Sequence, residues 1–140
     1  MKLLITSLML CLLSGCATSE VTMETAKQVP DDRLFIKNNV DGDAVITIIR
    51  DSGFLGSGCN INVFINEALA ATLDVAEKAT FNVNEGEMFL GLQLTGSGLC
   101  ISSSLRQLET SIKQGQHKTY RIALDPSGSM EILPSGIYKN

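Results

Sequence analysis

Cys59-Asn60-Ile61-Asn62-Val63-Phe64-Ile65-Asn66 is the stretch that decides the fold. Apolar and polar side chains alternate through it with a period of two. That places Cys59, Ile61, Val63 and Ile65 on one face and Asn60, Asn62, Phe64 and Asn66 on the other. A strand with one buried face reads this way; a helix does not. The same period recurs on both sides. Ala44 to Arg50 is rich in β-branched residues, and Met88 to Leu94 alternates around Met88, Leu90, Leu92 and Leu94. Thr80 to Val83 points Phe81 and Val83 inward, and His117 to Leu124 points Tyr120, Ile122 and Leu124 inward. Arg33 to Lys37, Leu69 to Leu73 and Met130 to Leu133 are shorter candidates. Turn signals separate them: Asp41-Gly42-Asp43, Asn66-Glu67, Asn84-Glu85-Gly86-Glu87, Gly115-Gln116 and Asp125 to Ser129. Gly-rich loops lie at Asp51 to Gly58 and Gly96 to Gly98. Ser104 to Gln114 fits either helical or strand spacing, and its β neighbours favour a strand. The fold class expected is all-β, a single antiparallel sandwich of seven to nine short strands.

The first sixteen residues, MKLLITSLMLCLLSGC, have a different character. One cation precedes an apolar run that is too short to span a bilayer, and small residues follow. This is the layout of a secretory signal peptide. Leu13-Ser14-Gly15-Cys16 resembles the lipobox of bacterial lipoproteins. The resemblance implies cleavage between Gly15 and Cys16 and lipid attachment at Cys16. Ala17 in place of Asp implies sorting to the outer membrane, on its periplasmic face. Residues 17–32 are polar, lack periodicity and end in Pro-Asp-Asp, so they read as a flexible tether. The expected organisation is a signal peptide over 1–15, a lipidated N-terminus and tether over 16–32, and a β-domain over 33–140.

Of four cysteines, Cys11 leaves with the signal and Cys16 takes the lipid. Cys59 and Cys100 remain in an oxidising compartment, where a structural disulfide is expected between them. There is no C-x-x-C motif, and a single His gives poor metal-ligand chemistry. Eleven basic against fifteen acidic side chains argue against nucleic-acid binding.

The mature layout resembles small bacterial lipoproteins with a β-sandwich domain, similar to PEGA-type and carboxypeptidase-regulatory modules. Three stretches carry the likeness: Arg50 to Gly58 leading into Val63 to Glu67, the Asn84 to Glu87 turn, and Gln114 to Ile122. These are strand and turn patterns, informative about fold and poor in function.

Catalytic signatures are weak. Gly56-Ser57-Gly58 and Gly96-Ser97-Gly98 lack the spacing of a nucleophile elbow. A triad would need Ser57 or Ser97 with His117, on an exposed strand face. Gly53 to Gly58 lacks the Lys of a phosphate loop. No catalytic residue, cofactor or metal is therefore expected. Each glycine loop precedes one cysteine, so a bridge would gather both at one end, with Phe54, Leu55 and Ser57 as a contact site for a partner. The functional expectation is a non-catalytic, membrane-anchored structural or protein-binding module working with an envelope protein. The alternative is a small-ligand binder or enzyme inhibitor acting through the glycine-loop end.

Overall fold

The computed structural model describes residues 18–36, 42–53, 56–100, 104–125 and 127–139. Gly15, Cys16, Phe54 and Leu55 lie outside these residues. The chain forms two packed sheets, an all-β sandwich, with one disulfide at one end of the four-stranded sheet. The strands are β1 (Lys27–Gln28), β2 (Ala44–Arg50), β3 (Asn60–Ile65), β4 (Ala68–Leu73), β5 (Glu77–Val83), β6 (Gly86–Thr95), β7 (Leu105–Ile112), β8 (Gln116–Leu124) and β9 (Met130–Lys139). One sheet has the order β1-β5-β2-β8-β9 and the other β4-β3-β6-β7.

The alternation decides which side chains enter the core. Ile61, Val63 and Leu90 of the four-stranded sheet meet Ile46, Phe81 and Ile122 of the five-stranded one, and all six are essentially inaccessible. Asn66 and Glu67 both have positive φ, 47° and 68°. They make the two-residue turn whose twist suits a β3–β4 hairpin. Asn66 fixes the turn against β6, accepting the Phe89 N–H on its side chain and donating its own N–H to the Phe89 carbonyl. Leu105–Ile112 is a strand, paired along β6.

Three features differ from the expectation. The four-stranded sheet is wholly antiparallel, but the five-stranded sheet is mixed: β8 runs parallel to β2, and β1 parallel to β5. Local alternation carries no information about the direction of a partner far along the chain. Second, Arg33 to Ile36, the described part of the candidate strand Arg33 to Lys37, do not form a strand. Asp31–Arg33 is a single 3-10 turn and Leu34 makes one isolated bridge to Ala71. Third, packing reaches back at least to Thr18, ahead of the expected start at Arg33. Ser19 bridges Ser52, β1 extends the sheet, and Val21, Ala26 and Val29 are buried. The expected flexible tether gives way from Thr18 onward, because Val21, Met23, Ala26 and Val29 find apolar partners on the rest of the domain.

Candidate functional site

The C-terminal ends of β2, β4, β6 and β8 and the N-terminal ends of β3, β5, β7 and β9 share one end of the sandwich. Cys59, just before β3, bonds to Cys100 in the turn after β6, with the Cα atoms 5.2 Å apart. Pairing of Asn60 with Thr95 already brings the two loops to neighbouring positions. Gly96 fits tightly there: its φ is +141°, and a Cβ would stand 2.8 Å from the Cys100 Cβ. Only glycine meets both demands at low cost. Ser57 and Ser97 are exposed at this end. The two glycine loops are thus gathered together as the sequence suggested.

A buried guanidinium holds the end closed. Arg50 points between the sheets and is 1% exposed. It donates to the carbonyls of Cys59 at 2.7 Å, Leu73 at 3.0 Å and Gly56 at 2.7 Å. One side chain of the five-stranded sheet therefore ties together the start of β3, the end of β4 and the glycine loop. Burial lowers its pKa, opposed by the charges of Asp74 and Glu77. The group stays charged because the arginine pKa starts so high. Nothing in the periodicity distinguishes Arg50 from the other inward residues of β2, so it was missed. A charged residue at an inward position of a β-branched strand was the available signal.

A second arginine fixes the N-terminal segment. Arg121 forms a two-pronged pair with Asp51, at 3.0 and 2.5 Å, and reaches Glu20 at 3.0 Å. Asp51 also accepts the Val21 N–H. The Arg121 pKa is raised, first by its hydrogen bond to Asp51. Residues 18–26 cross the outer face of the five-stranded sheet as a strap, with Val21 and Ala26 packed on Ile49. At the other side Lys78 donates to the Met23 carbonyl. Arg33 and Glu77 make a similar two-pronged pair near this edge.

Beside the strap is a shallow cleft of about 370 Å³, lined by Glu20, Met23, Glu24, Ile49, His117 and Thr119 among others. Thr119 Oγ1 is buried without a hydrogen-bond partner among the described residues. His117 Nε2 lies 2.8 Å from Thr47 Oγ1, which in turn is 2.9 Å from Thr80 Oγ1. Burial lowers the His117 pKa. Sequence reading missed this cleft because it depends on the strap.

The geometry keeps Ser57 and His117 apart. His117 pairs with Val45 at one end of the sheet, whereas Gly56 abuts Leu124 at the other. Seven residues of strand separate His117 from Leu124, about 23 Å at 3.3 Å per residue. No three His, Cys, Asp or Glu side chains gather as a metal site would require among the described residues.

The outer face of the four-stranded sheet carries exposed apolar groups. Phe89 is 47% exposed and Leu105 45%. Gly91, between them, is buried because Phe64 and Leu105 close over it, and a Cβ would stand 3.2 Å from Phe64 and 3.4 Å from Leu105. The face has no cover within the described chain. No family model matches the chain, and no curated protein matches it.

Proposed function

We propose that this protein is a lipid-anchored envelope module without catalytic activity, held on the periplasmic face of an outer membrane and acting by binding another envelope protein. The observation that carries the reading is the sequence Leu13-Ser14-Gly15-Cys16 behind a short apolar leader. The architecture supports it in two ways. The disulfide suits an oxidising compartment. Ser57 and Ser97 stand at the opposite end of the sandwich from His117, so the triad they would need does not come together.

Phe64, Phe89 and Leu105 supply the surface on which a protein partner would bury apolar area, and aromatic groups of this kind dominate interface energetics. A Cys16→Ser variant tests the anchor. It should move from the membrane fraction to the soluble fraction with its fold intact, and the native protein should carry the mass of its acyl chains. A native protein of unmodified mass would refute the anchor. Phe89→Ser with Leu105→Ser tests the face: these changes should abolish in vivo crosslinks without altering membrane attachment.

A further inference from the structure

The strap gives the anchor a direction. Thr18 is packed: its hydroxyl donates to the Leu124 carbonyl at 3.1 Å, and its Cβ region closes on Gly53. Ser19 and Ser52 exchange backbone hydrogen bonds. These contacts lie at the disulfide end of the sandwich. Cys16 is two residues earlier, and two residues span at most about 7 Å. Resting on the lipid-anchor reading, we infer that the disulfide end faces the bilayer and touches its headgroups, with the sandwich standing upright on it.

Charge agrees with this orientation. No charged side chain occurs from Ser52 to Asn66 or from Met88 to Leu105. Among the described residues of the two glycine loops, those exposed at this end are uncharged: Ser57, Gly58, Gly96, Ser97 and Gly98. Asp125 at this end is drawn into its own turn, accepting the N–H groups of Ser127 and Ser129, and its pKa is lowered first by the Ser127 side chain. Asp51 is neutralised by Arg121. Asp74 and Glu131 remain exposed at the rim against Lys27 and Arg106, so the charges there balance.

The opposite end carries exposed Glu67, Glu85 and Glu87 against Lys113. β6 has ten residues, so at about 3.4 Å per residue that acidic end stands roughly 30 Å further out. This exceeds the Debye length of about 8 Å at physiological salt, so anionic headgroups do not repel it. Inverting the molecule would press three carboxylates against the surface and would require the strap to detach.

The test uses native lipidated protein, isotopically labelled, in phosphatidylethanolamine–phosphatidylglycerol nanodiscs containing a headgroup-spin-labelled lipid. Amide signals of Ser57, Ser97 and Ser127 should be lost through proximity to the spin label, while those of Glu67, Glu85 and Lys113 persist. A long Gly-Ser insert between Ala17 and Thr18 should restore the lost signals with the protein still on the disc. Acylated protein that loses signals equally at both ends, or at the acidic end, overturns the orientation alone. Protein that carries no acyl mass and leaves the disc overturns the anchor together with the orientation.

Discussion

Replacing Arg50 by Met isolates what the buried guanidinium contributes. Methionine is close in length and fills most of the same space, so the cavity penalty is small and the lost hydrogen bonds dominate. Three carbonyls lose their donor. That of Gly56 is near enough to solvent to find water, whereas those of Cys59 and Leu73 are buried with the bond. A buried acceptor left unmet costs about 1–3 kcal/mol. Two give about 2–6 kcal/mol, and relief of the guanidinium's own desolvation brings the expected net loss to about 3 kcal/mol. That is a large part of the ~5–15 kcal/mol that holds a domain together. The chain has no Trp, so urea unfolding is best followed by far-UV circular dichroism, on a Cys16→Ser background with the disulfide intact. With a slope of about 1.5 kcal/mol/M, the midpoint should fall by about 2 M. Arg50→Lys should not rescue it, because an ammonium lacks the planar fork that reaches three acceptors at once. A Met variant within about 1 kcal/mol of the parent, at unchanged slope, would refute the idea that Arg50 closes this end.

Other perturbations separate the remaining contacts. Cys59→Ser with Cys100→Ser opens a loop of sequence separation 41 and should cost about 4 kcal/mol in the chain-entropy view, measured by the same unfolding curves. Arg121→Ala leaves Asp51 buried without its cation and should cost about 3 kcal/mol; limited proteolysis should then cut within residues 18–26 first. Gly96→Ala, strained at φ +141° and crowded by Cys100, should lower stability by about 1–3 kcal/mol. His117 has a pKa lowered from 6.5 by burial, so the unfolded chain binds its proton more readily. Its contribution is therefore present above about pH 6.5 and is lost as pH falls from there through the folded-state value. His117→Gln should flatten the pH dependence of stability over that window.

The strands were legible because each one's inward face is written in its own residues, as in Ile61, Val63 and Ile65. The Asn66-Glu67 turn was legible because hairpin chemistry is local. The disulfide was legible because the expected leader and lipid site account for Cys11 and Cys16 and leave Cys59 and Cys100 as the remaining pair. The strap was not legible: Val21, Ala26 and Val29 follow neither a helical nor a strand period, since they pack on another element's surface. Ile49 shows the same effect from the other side. It points away from the main core yet is 1% exposed, because the strap covers it. Arg50 and Arg121 alternate in register like any strand residue, and their partners lie on loops and strand ends whose positions only the tertiary fold sets. The cleft at His117 and the Phe89–Leu105 face depend on juxtapositions of the same distant kind.

The parallel pairing of β2 with β8 also bears on the order in which the molecule assembles. β3 and β4 form a hairpin, β6 and β7 are consecutive, and β3 meets β6 within 35 residues, as Asn60 with Thr95, so their sheet closes across shorter separations. β2 gains its second neighbour only from residues about seventy positions later, as the Thr47–His117 contact illustrates. A chain emerging N-terminus first therefore carries β2 with one side unpaired until Leu124 has appeared. Such non-local closure slows folding and leaves a hydrophobic strand edge open to other chains. The early closure of the smaller sheet brings Cys59 beside Cys100 before then. The disulfide can thus form on a half-built sandwich, and the arrival of β8 becomes the slow, aggregation-sensitive step.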